Sequence, residues 1–155
     1  MIIQTPTTFF LVTGAAQGFT MLNAFDTSLI EAGIGDVNLI RLSSILPPGC
    51  AKIERMKIQQ GSLVPVAYAS KMSDVPGAVI SSAVAVAIPE DGSLAGLIME
   101  YSSHDYKSFT EQKVIMMAER GMRNRHRKIK EIFSIASEIK TDEYAASFSG
   151  VVLWD

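Results

Sequence analysis

Two long apolar segments joined by a short turn constrain the fold of this chain more than any other feature. Residues 62–72 and 78–88 are rich in alanine, valine and serine, and Asp74, Pro76 and Gly77 lie between them. Aspartate, proline and glycine are the residues that favour tight turns, and apolar segments of this length are typical of strands. The sequence therefore predicts a fold built around β-sheet.

Other strand-like and helix-like segments surround this pair. A capping-box pattern, Ser108-Phe109-Thr110-Glu111, opens one predicted helix, and Gly33 ends the other at residues 22–32. The remaining predicted strands are residues 8–13, 37–42, 94–101, 130–139 and 144–154. The apolar face of the second helix is predicted at Val114, Met117, Ala118 and Met122. Strands interrupted by two helices predict an α+β fold with a largely antiparallel core.

Composition limits the classes of function. A length of 155 residues suits one domain, spanning 1–155. A net charge of −2 argues against general nucleic-acid binding. The first residues lack the basic start and apolar run of a secretion signal, and the apolar stretch 79–88 is too short to span a bilayer. We therefore expect neither a nucleic-acid partner nor a membrane partner.

Cysteine and histidine content bears on redox and metal chemistry. Cys50 is the only cysteine, which excludes an internal disulfide and fits a reducing cytoplasm. We interpret it as a buried thiol rather than a reactive one, because no neighbouring cation would lower its pKa. His104 and His126 do not make a credible metal site with one cysteine. We expect a cytoplasmic protein without a metal.

Two further segments have competing interpretations. Residues 120–130 hold six positive side chains, which we interpret as a solvated helix end rather than a phosphate or nucleic-acid site. The small residues 14–18 predict a turn after the first strand. A phosphate-binding loop is the weaker interpretation there, because no P-loop lysine follows.

A serine pair lies in the segment NLIRLSSILPP at residues 38–48, between an apolar strand and a double proline. The chain also carries LNAFD at 22–26, AGIGD at 32–36 and GLIME at 96–100. Together these segments resemble the pyruvoyl-dependent arginine decarboxylases, over about Thr8 to Trp154. Members of that family cut their own chain between two serines, and the second serine becomes a pyruvoyl group.

The resemblance implies a self-made cofactor. Ser44 would attack the carbonyl of Ser43, and elimination would leave a β chain of residues 1–43 and an α chain of 44–155 that begins with the pyruvoyl group. Asn38 matches the position that assists cleavage, where its amide can donate to an oxyanion. The pyruvoyl group would form a Schiff base with the substrate and accept electrons as CO2 leaves. Neither a metal nor pyridoxal phosphate is then needed.

Glu100 is the candidate proton donor. Strand alternation puts Ile98 and Glu100 on one face, and apolar neighbours raise the pKa of a carboxyl and keep it protonated. An exposed glutamate at a strand end is equally compatible with the residues alone. The match to the GLIME segment implies a general acid, with Ile98 as a pocket wall.

Asp26 is the candidate substrate-binding residue. Helical spacing puts Leu22, Asp26 and Leu29 at i, i+4 and i+7, an apolar slot with an anionic end that suits arginine. Helix capping is the alternative role of this aspartate. The resemblance implies guanidinium binding.

Three departures from the family pattern flank Asp26. Met21 stands where proline is usual, Thr27-Ser28 replaces a smaller pair, and Glu31 adds an acid. They bear on the exact substrate more than on the reaction type.

The resemblance also implies a particular assembly. Each αβ unit would fold as a four-layer αββα sandwich, and three units would associate as a homotrimer. The trimer would decarboxylate arginine to agmatine. Two alternatives stay open at this point. One is a pyruvoyl decarboxylase of another amino acid, and the other is an uncut trimeric paralogue that binds a cationic ligand or protein partner.

Overall fold

The computed structural model describes residues 4–155, and these contain nine strands and two helices. The strands are β1 (Thr8–Gln17), β2 (Asn38–Arg41), β3 (Ile45–Leu46), β4 (Ala51–Lys52), β5 (Leu63–Ser73), β6 (Val79–Pro89), β7 (Gly96–Ser103), β8 (Ile129–Lys140) and β9 (Ala145–Leu153). The helices are α1 (Met21–Glu31) and α2 (Lys107–Asn124).

The strands form two sheets. One has five strands in the order β2-β5-β9-β1-β4, and the other has four in the order β3-β7-β6-β8. All neighbours are antiparallel except the β1–β4 and β2–β5 pairs. The mixed α+β class and the largely antiparallel pairing are therefore confirmed. The segments on either side of the turn at 74–78, β5 and β6, lie in different sheets.

Three clusters of buried apolar side chains pack between the sheets and helices. In β1, Phe10 packs in the cluster that also holds Leu29 of α1, whereas Phe9 packs in the cluster that holds Ile98 of β7. Neighbouring strand residues point to opposite faces, so the five-stranded sheet has α1 on one face and the other sheet on its second face. The third cluster joins the four-stranded sheet to α2 through Val114.

Hydroxyl groups replace apolar side chains over part of the space between the sheets. The Ser82 Oγ of β6 lies 2.8 Å from the Ser147 Oγ and 3.0 Å from the Ser149 Oγ of β9. Ser137 Oγ of β8 lies 2.6 Å from Ser147 Oγ. Because buried hydroxyls need partners, this network fixes how the two sheets face each other.

The predicted turn at residues 14–18 is wrong, because β1 continues to Gln17, paired with Ala145 of β9. The small residues in this part of β1 allow α1 to pack closely against the strand. A Cβ on Gly14 would overlap the carbonyl oxygen of Ser28, so α1 lies directly on the strand.

The predicted capping box of α2 is also wrong. The helix begins at Lys107, so Ser108 lies inside its first turn, and Tyr106 at the cap makes no side-chain hydrogen bond. The carboxylate of Glu138 on β8 accepts a 3.0 Å hydrogen bond from the Lys107 N–H instead. Val114, Ala118 and Met122 are buried, as the helical spacing predicts.

Candidate active site

The serine pair lies in the short connection between β2 and β3. Ser43 is exposed and Ser44 is half-buried. Ser44 has a φ of +83°, in the region that non-glycine residues rarely occupy. Conformations of this kind cost on the order of 1–3 kcal/mol and concentrate at functional sites.

The pairing of β3 with β7 brings Ser44 beside Glu100. Ile45 is opposite Leu97 in this antiparallel ladder, so the residue before Ile45 reaches the part of β7 that holds Glu100. The Ser44 hydroxyl donates a hydrogen bond to Glu100 Oε1. The Ser44 carbonyl oxygen accepts a 2.9 Å hydrogen bond from the Ile98 N–H. The Ser44 hydroxyl thus lies against a carboxyl group. The carbonyl of Ser44 itself is held in place by the backbone of β7.

Glu100 occupies a half-buried position on the same face of β7 as Ile98, which is buried between the sheets. Burial raises the pKa of the Glu100 carboxyl, while the Ser44 hydrogen bond, the positive charge of Arg41 and a backbone hydrogen bond oppose this rise. The net direction is upward, so the protonated form persists to higher pH than it does for an exposed glutamate.

Arg41 is a charged residue near the site that the sequence reasoning missed. Its guanidinium carbon lies 4.6 Å from the centre of the Tyr68 ring, and Nη2 donates to the Tyr68 carbonyl oxygen at 3.2 Å. These two contacts hold the guanidinium in place. The available signal was a cation three residues before Ser44.

Asn38 lies at the end of β2 away from the serine pair. Its side-chain Nδ2 donates to the Gly61 carbonyl oxygen at 3.1 Å, and its backbone N–H donates to the Ser62 carbonyl oxygen at 2.8 Å. Since a strand rises about 3.3 Å per residue, the length of β2 alone keeps Asn38 about 10 Å from Arg41, and Ser43 lies further on. Asn38 and Ser44 are therefore not brought together within one chain.

Asp26 is exposed near the middle of α1. Thr20 is the N-cap, and its hydroxyl accepts the 3.1 Å hydrogen bond from the Asn23 N–H, so Asp26 does not cap the helix. Leu22 is 74% exposed, but Leu29 is buried in the cluster beneath α1. The predicted slot between the two leucines is therefore not formed within one chain, because Leu29 faces the sheet.

Cys50 fits the interpretation as a structural thiol. It is buried between the sheets, and burial raises its pKa to about 11, with a smaller contribution from the charge of Asp155. Within residues 4–155 no group of three or more histidine, cysteine, aspartate or glutamate side chains has the arrangement of a metal site. Neither helix in that range is long and apolar enough to cross a membrane.

Comparison with solved structures identifies the class of fold. A pyruvoyl-dependent histidine decarboxylase solved at pH 8 superposes with a TM-score of 0.52 and 13% identity, over 65% of this chain and 54% of that chain. The chain thus spans about half of that larger structure, and the likeness concerns the fold. The two chains share a fold over the superposed part.

Comparison of sequences identifies the family within this class. Residues 8–153 match the family model described as pyruvoyl-dependent arginine decarboxylase. Proteins with that name are 46% identical in Methanococcus maripaludis, over 97% of this chain and 92% of theirs, and 47% identical in Methanocaldococcus jannaschii, over 96% and 90%. The relative in Pyrococcus furiosus is 40% identical, over 97% and 96%. The chain belongs to the pyruvoyl-dependent arginine decarboxylase family.

The residues around Ser44 fit the pyruvoyl group of this family, which derives from a serine of the chain itself. Ser44 follows a second serine and has a left-handed backbone conformation, and its hydroxyl contacts Glu100. The arrangement therefore places a hydroxyl, a carboxyl group and a constrained backbone at this serine pair.

Proposed function

We propose that this chain cleaves itself between Ser43 and Ser44 and then converts L-arginine to agmatine and CO2. The contact between the Ser44 hydroxyl and Glu100 carries this proposal, because it joins a nucleophile to a proton acceptor inside the segment that resembles the family. Relatives named pyruvoyl-dependent arginine decarboxylases, which are 40–47% identical, support the substrate and the reaction.

Self-cleavage begins at the Ser44 hydroxyl. Its oxygen attacks the Ser43 carbonyl carbon while the Glu100 carboxylate accepts the hydroxyl proton, and the peptide bond becomes an ester. Elimination then removes the Cα proton of residue 44 and breaks the bond between its Cβ and the ester oxygen, which forms a Cα=Cβ double bond and lets Ser43 leave with a new carboxylate. The remaining unsaturated residue takes up water and loses ammonia, which leaves the pyruvoyl group on residue 44. The one domain then consists of chains 1–43 and 44–155.

Backbone strain supports cleavage at this bond. The left-handed conformation of Ser44 is relieved when the peptide bond before it breaks, and Pro47 and Pro48 restrict the chain that follows. Strain of this kind lowers the barrier only in the folded chain, so cleavage depends on folding.

Glu100 carries the proton in the mature site. The pyruvoyl group supplies a carbonyl that accepts the electrons released as CO2 leaves. Glu100 Oε then donates a proton to the carbon that has lost CO2. Self-cleavage consumes the Ser44 hydroxyl, which is the largest influence that opposes the raised pKa of Glu100. The carboxyl is therefore better able to hold its proton after cleavage than before it.

Asp26 binds the substrate guanidinium. A carboxylate accepts two parallel hydrogen bonds from the planar guanidinium, which favours arginine over shorter or singly charged amino acids. The exposed Leu22, one helical turn before Asp26, covers the methylene chain. Ile98 is fully buried between the sheets, so it supports Glu100 from beneath and does not form a pocket wall within one chain. Leu29 contributes indirectly, because its packing holds α1 on the sheet.

The complete site forms between copies of the chain. Within one chain α1 lies on the outer face of the five-stranded sheet, while Ser44 is attached to the other sheet, which supports a site where Asp26 comes from a neighbouring subunit. The distance of Asn38 from Ser43 supports the same role for Asn38, which would then assist cleavage across the interface. We infer a homotrimer of αβ units, in keeping with the family.

The three apolar clusters support a four-layer αββα order. A single buried cysteine supports a cytoplasmic location, and the net charge of −2 supports a function without nucleic-acid or membrane partners.

A substrate panel tests the proposed activity. Incubated with arginine, ornithine, lysine and aspartate, the cleaved protein should release CO2 from arginine far faster than from the others. Asp26→Asn should lower kcat/KM for arginine by about 10- to 100-fold, the effect of losing hydrogen bonds to a charged partner. Asp74→Asn, which makes the same change at an exposed aspartate in the turn between β5 and β6, is the matched control and should stay near the wild-type value. CO2 release from another amino acid but not from arginine contradicts the substrate assignment.

Mixed trimers test the sharing of the site. Asp26→Asn and Glu100→Gln chains carrying different tags are expressed together and purified through both tags. If Asp26 and Glu100 of one site come from different subunits, roughly one site in three of each mixed trimer regains both residues. The mixed trimers should then be active while each parent is impaired. No gain over the parents would show that both residues come from one subunit.

A further inference from the structure

The hydrogen bond from Ile98 to Ser44 involves a carbonyl that self-cleavage leaves in place. The Ile98 N–H donates to the Ser44 carbonyl oxygen at 2.9 Å. Cleavage removes the carbonyl of Ser43, whereas the carbonyl of residue 44 stays bonded to the nitrogen of Ile45. The Ile98 hydrogen bond therefore does not stabilise the oxyanion at Ser43, and it persists in the cleaved chain.

The position of this carbonyl gives the hydrogen bond a chemical consequence. After cleavage the carbonyl of residue 44 is directly conjugated with the reactive carbonyl of the pyruvoyl group. Negative charge that moves towards that group during decarboxylation reaches the oxygen of residue 44 through the conjugated bonds. A donor already fixed at that oxygen stabilises the charge without reorganisation.

The surroundings of Ile98 strengthen this effect. Ile98 is 0% exposed and packs between the sheets, so water does not compete for the hydrogen bond. Its N–H is fixed by the strand, because Val86 of β6 is opposite Ile98 on one side and β3 lies on the other. The donor is therefore rigid and buried.

We propose that the backbone N–H of Ile98 is a catalytic group that stabilises the charge developing on the carbonyl oxygen of residue 44 during decarboxylation. The proposal rests on the proposed function and adds a second electrostatic contribution beside the proton donor Glu100. The competing explanation is that the bond only anchors β3 to β7.

Replacing the amide before residue 98 by an ester removes this N–H and leaves every side chain in place. Successive N–H groups along a strand point to opposite sides, so the Met99 N–H points towards Ala85 of β6. An ester at residue 99 is therefore the matched control, since it removes a ladder bond of the same strand without affecting the carbonyl of residue 44.

The full chain with a labelled carbonyl can be assembled at Gly49-Cys50, where the single cysteine gives a ligation junction. A synthetic segment 1–49 carries a ¹³C carbonyl at Ser44, and segment 50–155 carries the ester. After refolding, two properties are measured: the infrared frequency of the labelled carbonyl, and the decarboxylation rate per cleaved chain.

The ester at residue 98 should raise the labelled carbonyl frequency and lower kcat about 10- to 100-fold, with cleavage intact and KM little changed. The ester at residue 99 should change neither property. Equal kcat values for the two esters, or an unshifted carbonyl band, would overturn the proposal. Loss of cleavage in the residue 98 ester alone would also overturn it, because the role would then precede decarboxylation. Failure of the unmodified ligated chain to cleave would instead contradict the proposed function.

Discussion

Replacing Ser44 by alanine should leave the chain whole and abolish decarboxylation. Alanine has no oxygen to attack the Ser43 carbonyl, and it cannot become a pyruvoyl group. Intact-mass measurement after prolonged incubation should find one uncut species, and CO2 release from arginine should fall to background. The change is small, because it removes a single half-buried hydroxyl, so circular dichroism should find the fold retained.

Ser43→Ala is the matched control for this experiment. In the proposed cleavage Ser43 contributes only its backbone carbonyl, and its side chain is exposed. This variant should therefore still split into two chains and keep most of the activity. A Ser44→Ala chain that splits would place the nucleophile at another residue, and an uncut Ser43→Ala chain would give the first serine side chain a role that the structure does not explain.

Replacing Glu100 by glutamine should give the second largest effect. Glutamine keeps the shape of the side chain but does not donate an acidic proton, so the decarboxylation rate per cleaved chain should fall by about 10²- to 10⁴-fold. Self-cleavage should also slow, because the Ser44 hydroxyl loses its proton acceptor. Glu131→Gln on β8, at an exposed position, is the control and should match wild type in both reactions.

The pH dependence of the wild-type enzyme follows from the same carboxyl. Burial raises the pKa of Glu100, so the protonated form persists to higher pH than for an exposed glutamate. In the proposed mechanism decarboxylation takes its proton from Glu100, and the rate should therefore be maintained at low pH and decline as pH rises through the raised pKa. Glu100→Gln should lack this decline. A variant that keeps both the wild-type rate and the decline would assign the proton to another group.

Local sequence patterns were enough to predict most long strands and both helices. Residues 62–72 and 78–88 became β5 and β6 almost without change, because apolar composition and a strong turn signal agree there. The end of β1 and the start of α2 were predicted wrongly. In both places a distant partner decides the outcome: β9 extends β1 beyond Gly14, and Glu138 of β8 caps α2.

In the candidate site, too, some features could be predicted from the sequence and others depend on distant strand pairing. The family segments were enough to select Ser44 and Glu100 as separate catalytic candidates, but the contact between their side chains is visible only in the structure. The left-handed backbone of Ser44 and its hydrogen bond from Ile98 depend on the pairing of β3 with β7, which no local pattern indicates. Helical spacing put Leu29 near Asp26, but it did not reveal that Leu29 packs into the core beneath α1.

Self-cleavage at one peptide bond is the central claim, and the intact mass of the purified wild-type protein tests it most directly. We predict two fragments, residues 1–43 and residues 44–155, produced by a cut between Ser43 and Ser44. The second fragment should be lighter than an unmodified serine chain by the mass of one ammonia molecule, and it should gain mass with a hydrazine reagent. A single chain that stays uncut and unreactive after prolonged incubation would contradict the account.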